Sequence, residues 1–221
     1  MDENKKQFKN IFYLGLPVLI VIGVFLMPKN IQNIFVLKLD MPTLWTWFTY
    51  IFIHEDFAHL FSNVVFYILP ILFLFFICPK EYWKDFYKPF LVILFLVPAL
   101  LFIFHNLLWF FDIIIIRYHR GFSGITSASL GMLGFFVVDN IKKFIIYYDN
   151  REKKNLIFFC FSIVLVISGI ILLFPSDLTN PSGSIINIFS HFIGLVVGFF
   201  VGFVYFRLIS GAYPAACCGT F

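Results

Sequence analysis

Ser123 lies between two glycines in Arg120-Gly121-Phe122-Ser123-Gly124-Ile125-Thr126-Ser127-Ala128, at the head of an apolar segment. Small neighbours leave room around a hydroxyl, which suits a nucleophile better than a packing residue. A serine hydroxyl is a weak nucleophile until an adjacent base takes its proton, and His191 is the candidate base. Attack on a carbonyl builds a negative oxygen that needs donors where the charge develops. His59 and Asn63 are four apart, so they share one face of a helix. With the Ser123 backbone N–H they offer such donors. Each of these side chains also has a plainer use as an interhelical hydrogen-bond partner, so chemistry is favoured only if all four meet at one depth.

The elements that must position them are membrane helices. The chain is 221 residues long, 61% hydrophobic and 13% charged, with a mean hydropathy of +0.95. A soluble domain is about 45–50% apolar and about 25% charged, so lipid must cover part of this surface. Several runs reach the roughly 17–25 residues a spanning helix requires. Six are expected: Ile11–Met27, Phe57–Ile77, Phe90–Phe111, Phe122–Val138 (ended by Asp139-Asn140), Leu156–Phe174 and Ile185–Phe206. The basic leader before the first run has no A-x-A-like cleavage site after it, so the run reads as a helix rather than a signal peptide. The chain divides into a polar segment 1–10, a membrane domain 11–208 and a tail 209–221. Between the first two spans, Leu37, Leu39, Leu44, Trp45, Trp47 and Phe48 are expected at a membrane interface. Cys78, Cys160, Cys217 and Cys218 show no metal-binding spacing. No metal site is read from them, and a formal charge of +4 is read as basic cytoplasmic loops rather than nucleic-acid binding.

Charge distribution orients the bundle. With the N-terminus cytoplasmic and six alternating spans, Lys5, Lys6, Lys9, Lys80, Lys84, Lys88, Lys142, Lys143, Arg151, Lys153, Lys154 and Arg207 fall inside. Lys29, Lys38, Arg117 and Arg120 fall outside, which accounts for all 16 Lys and Arg. That asymmetry follows the positive-inside rule, and both termini become cytoplasmic. Spans two, four and six then descend from outside and carry His59, Asn63, Ser123 and His191 to a similar outer depth. Ionisable groups inside a membrane are expensive and are functional candidates by default.

Small residues set the spacing. Span four carries Gly124, Ser127, Ala128, Gly131 and Gly134; span six carries Gly194, Gly198 and Gly202. Such stripes let membrane helices approach closely. Ser123 and His191 stand equally far ahead of Gly134 and Gly202, so pairing the stripes sets Ser123 beside His191. A Ser-His-Asp triad is disfavoured, because Asp139 lies about 24 Å down the helix. His105 is expected in a structural hydrogen bond, His119 in a connector, and His54 near the first loop or the donors.

His54-x4-His59-x3-Asn63, then Gly121-x-Ser123-Gly124, then His191-x2-Gly194-x3-Gly198, in that order on spans two, four and six, resembles the rhomboid family of intramembrane serine proteases. The resemblance covers roughly Pro28 to Arg207. It implies an all-α, six-transmembrane-helix bundle. It also implies Ser123 as nucleophile, His191 as general base, and oxyanion support from His59 and Asn63 with the flanking Gly121 and Gly124. No cofactor is implied. The substrates would be transmembrane proteins in the lipid bilayer, cut near the extracytoplasmic face, and a prokaryotic plasma membrane is the expected location. Two places differ from the family's common pattern: Ser127 stands where an aromatic often packs on the base, and a Trp-Arg pair of some first loops is missing. A weakly active or inactive rhomboid-like protein that binds membrane clients is the alternative. A small transporter is disfavoured by the lack of an internal repeat.

Overall fold

The computed structural model describes residues 3–78, 85–113, 118–146, 160–167 and 181–209. Its helices are α1 (Glu3–Phe25), α2 (Lys29–Gln32), α3 (Thr46–Thr49), α4 (Phe57–Ile77), α5 (Lys88–Phe110), α6 (Ser123–Ile146), a stretch over 160–167 (α7) and α8 (Pro181–Phe203). π-helical turns, Val204–Ile209, continue α8. Two short strands, β1 (Leu37–Lys38) and β2 (Tyr118–His119), pair antiparallel with Leu37 opposite His119.

Gln7–Phe25, Phe57–Phe76, Lys88–Phe110 and Asn187–Leu208 are long and apolar enough to cross a membrane, and Ser123–Asp139 is a shorter apolar helix. Large apolar side chains along them, among them Phe61, Phe76, Phe95, Phe110 and Phe200, are exposed to the surroundings. Water would not tolerate that surface; lipid does. The protein is an all-helical integral membrane protein. Most of the expected fifth span, residues 147–155 of the basic loop before it and the tail beyond Ile209 lie outside the described residues.

Helix α4 begins where a capping signal meets an apolar run. The Asp56 carboxylate accepts the His59 N–H at 2.8 Å, satisfying one of the helix's unpaired N-terminal donors. Helix α6 is the centre of the bundle, packing against α4, α5 and α8, with Ile125, Ala128, Met132 and Leu133 buried. Glycine takes the place of bulk wherever α8 crosses it. A Cβ on Gly198 would lie 2.5 Å from the Ala128 carbonyl carbon, and one on Gly194 would lie 3.0 Å from that of Gly124. A Cβ on Gly131 would meet the Leu195 carbonyl carbon at 2.9 Å. These are backbone-to-backbone approaches that no larger residue permits.

Several expectations are corrected. The apolar part of α6 ends at Asp139 as expected, but the helix itself runs on to Ile146, and Asp139 accepts from the Arg207 Nε at 2.7 Å as an interhelical tie. Helix α8 begins at Pro181, earlier than Ile185, and a proline suits a helix's first turn. Gly134 does not face α8: its nearest neighbour is Val166 of α7. Gly202 instead lies over Met132 and Phe135. Leu37 and Leu39 are not interfacial but buried in the protein, unlike Leu44 and Trp45, which are exposed. The β1–β2 pairing draws that part of the loop inward. Cys78 is buried as a small hydrophobe, whereas Cys160 is exposed.

Candidate active site

The head of α6 is shaped by a glycine. Gly121 has φ +121°, a conformation costly for any residue with a Cβ, and its N–H donates to the Tyr50 carbonyl at 3.1 Å. This holds the chain tightly just before Ser123, the first residue of α6. A Cβ at Gly121 would meet the His59 ring at 3.4 Å, so the imidazole lies directly against the Gly-x-Ser-Gly turn. Ser123 is half-buried, and Ser127, one turn deeper, is buried.

Hydroxyls tie α6 to α4. Thr126 Oγ1 shares its proton between the Asn63 carbonyl at 3.1 Å and the Phe122 carbonyl at 3.3 Å. Ser129 Oγ donates to the Thr126 carbonyl at 2.7 Å and lies 3.4 Å from that of Phe66. The Asn63 side-chain amide donates to His54 Nε2 at 3.1 Å, and the His54 and His59 rings meet edge to face at 5.2 Å. Burial, reinforced by the neighbouring His59, pushes His54 down to about 4. A neutral ring is what the Asn63 amide requires, because only an unprotonated nitrogen accepts. One amide hydrogen of Asn63 is thereby fixed.

On α8, His191 Nδ1 and Ser127 Oγ are hydrogen-bonded at 2.9 Å. The expected direct bond between Ser123 and His191 is absent among the described contacts; the histidine is held one turn below the Gly-x-Ser-Gly serine. Next to it, Ser190 Oγ and His105 Nε2 are hydrogen-bonded at 3.1 Å. The His105 ring stacks on His119 with centroids 4.0 Å apart. His119, expected in a connector, is therefore buried, and burial pushes it down to about 4. At the rim, Arg120 pairs with Glu55 at 2.5 Å. Among the described residues no group of three or more His, Cys, Asp or Glu is placed to hold a metal.

Sequence reasoning missed Thr126, Ser129 and Ser190. A hydroxyl in a membrane helix signals an interhelical bond, but not which carbonyl or ring it meets. His54 was placed only loosely: it lies in the segment ahead of α4 rather than on the helix, so no helical spacing pointed to its contact with Asn63.

Taken together, these features describe an integral membrane protein whose packed apolar helices gather serines, histidines and an asparagine around one end of α6. The Rhomboid domain family matches residues 42–208, and the chain belongs to it. Members of this family are generally intramembrane serine proteases. Neither a curated protein nor a solved structure matches the chain.

Proposed function

We propose that the protein is an intramembrane serine endopeptidase that cuts transmembrane substrates near the extracytoplasmic face, with Ser123 as nucleophile and His191 as general base. The observation that carries this reading is the meeting of three elements at the head of α6: the His59 ring against Gly121, the Asn63 amide on α4 fixed by His54, and His191 on α8 bonded to α6. The Ser123 Oγ–H proton passes to His191 Nε2 as Oγ attacks the scissile carbonyl carbon. The resulting oxyanion is met by His59, Asn63 and the Ser123 N–H. Collapse breaks the C–N bond, and the leaving amine takes the proton from His191. Water, deprotonated by the same imidazole, then hydrolyses the acyl-serine. Hydrogen bonds in a resting site tighten in the substrate complex, which accommodates the missing Ser123–His191 bond.

The wider reading is a six-span, multi-pass domain over 11–208 with both termini cytoplasmic, flanked by segments 1–10 and 209–221, in a prokaryotic plasma membrane. It rests on the 12-to-4 division of basic residues across the two sides, as the positive-inside rule requires. The other reading, a rhomboid-like protein that binds membrane clients without cutting them, is favoured by one observation: His191 bonds Ser127 rather than Ser123. Reconstitution with a transmembrane reporter carrying small residues at its outer end separates the two. Cleavage by wild type that is lost in both Ser123→Ala and His191→Ala supports the protease. Binding without cleavage, or cleavage that survives Ser123→Ala, refutes it.

A further inference from the structure

We infer that Ser127 is the positioning residue of this site: its hydroxyl oxygen accepts the Nδ1 hydrogen of His191 and so selects the ring tautomer able to act as a base. This rests on the reading of Ser123 and His191 as nucleophile and base.

A neutral imidazole carries one hydrogen, and the nitrogen that holds it is set by the partner of the other nitrogen. For Nε2 to take a proton from Ser123, the hydrogen must sit on Nδ1. At membrane depth an Nδ1–H without an acceptor is costly, so the base-competent tautomer needs an oxygen there. Ser127 Oγ lies 2.9 Å from Nδ1, and Ser127 is only 3% exposed, so water does not compete with it. A carboxylate is the usual orienting group in serine hydrolases. The one carboxylate on α6, Asp139, is instead committed to Arg207 toward the helix's far end. The close approach of α8 makes the direct bond feasible. A Cβ on Gly194 would meet the Ser127 Cβ at 3.1 Å, so the two helices are near enough for a one-carbon side chain to reach the ring. The hydroxyl has two lone pairs and free rotation, and it can go on accepting when the ring becomes doubly protonated during attack. Ser127 thus supplies by hydrogen bonding the ring orientation that the sequence left without an obvious source.

The test uses the full-length protein in detergent and a fluorophosphonate probe, with wild type, Ser127→Ala and Ser123→Ala side by side. The maximal inactivation rate of Ser127→Ala should fall about tenfold, the worth of one orienting hydrogen bond, while the probe's half-saturating concentration stays unchanged. A purely structural role would move both, or would lower the thermal midpoint. With 15N-labelled histidine, the His191 signal, assigned by its loss in His191→Asn, should report hydrogen on Nδ1 in wild type and a mixture of tautomers in Ser127→Ala. An unchanged inactivation rate in Ser127→Ala, or hydrogen on Nε2 in wild type, overturns the proposal while Ser123 stands as nucleophile. Undiminished labelling of Ser123→Ala overturns the nucleophile reading and the proposal with it.

Discussion

Replacing Gly198 by alanine adds one methyl group at the tightest crossing of α6 and α8, and its effect follows from the distances there. The new Cβ would stand 2.5 Å from the Ala128 carbonyl carbon and 2.6 Å from its Cα, where ordinary contact begins at 3.4 Å. Both neighbours are backbone, so no side chain can swing aside. The helices must part by about 1 Å, at an overpacking cost of about 1–3 kcal/mol. The same separation carries His191 away from Ser127. Their 2.9 Å bond lengthens to about 3.9 Å, beyond hydrogen-bonding range. Gly134→Ala is the internal control. Its Cβ would meet Val166 at 3.7 Å, and the helix gains up to about 1 kcal/mol in propensity. Unfolding in SDS mixed micelles should therefore show Gly198→Ala destabilised and Gly134→Ala unchanged or stabilised. Fluorophosphonate labelling should fall about tenfold or more in the first and hold in the second. If Gly198→Ala unfolds like wild type and labels at the same rate, the account of helix spacing as the device that sets the site is wrong.

Further outcomes follow from the same geometry. Asn63→Ala should lower turnover of a cleaved reporter by about 100- to 1000-fold, the usual effect of losing one oxyanion donor, without loss of folding; an undiminished rate removes Asn63 from the donor set. Asp56→Ala removes the acceptor for the His59 N–H and should cost about 1 kcal/mol of stability, read by the same SDS titration. His54 and His119 are each held down to about 4, so the folded protein refuses protons that the unfolded chain binds. Stability should be full above about pH 6.5, fall as pH drops towards 4, and level off below, with at most about 3 kcal/mol from each histidine. SDS unfolding across a pH series checks this, and stability that stays flat or rises on acidification contradicts it.

The sequence made some of this legible because single residues carried the information. Helix α4 matches its expected range, Phe57–Ile77, since a largely apolar run, interrupted by His59, Ser62 and Asn63, follows the capping Asp56. The Gly-x-Ser-Gly stretch was readable because small residues flank one hydroxyl in an otherwise bulky apolar chain, although the positive φ of Gly121 was not. What stayed hidden depended on partners distant in the chain. Asp139-Asn140 looks like a helix end until Arg207 appears across from it. Leu37 and Leu39 look interfacial until a strand near His119 pairs with theirs. The glycine stripes announced that α6 and α8 touch, but matching them by equal spacing put Gly134 opposite Gly202. The backbone approaches set Gly194 on Gly124 and Gly198 on Ala128 instead. His191 meets Ser127, a residue first notable as a member of the small stripe and as the absence of an aromatic.

The measurement that bears most directly on the central claim is the site of covalent modification. Full-length protein treated with a fluorophosphonate, digested and sequenced by mass spectrometry should carry the adduct on Ser123, with none on Ser127 or Ser129, and His191→Ala should abolish it. An adduct on another serine, or no adduct in protein that remains folded, would contradict the assignment of Ser123 and His191 as the reacting pair.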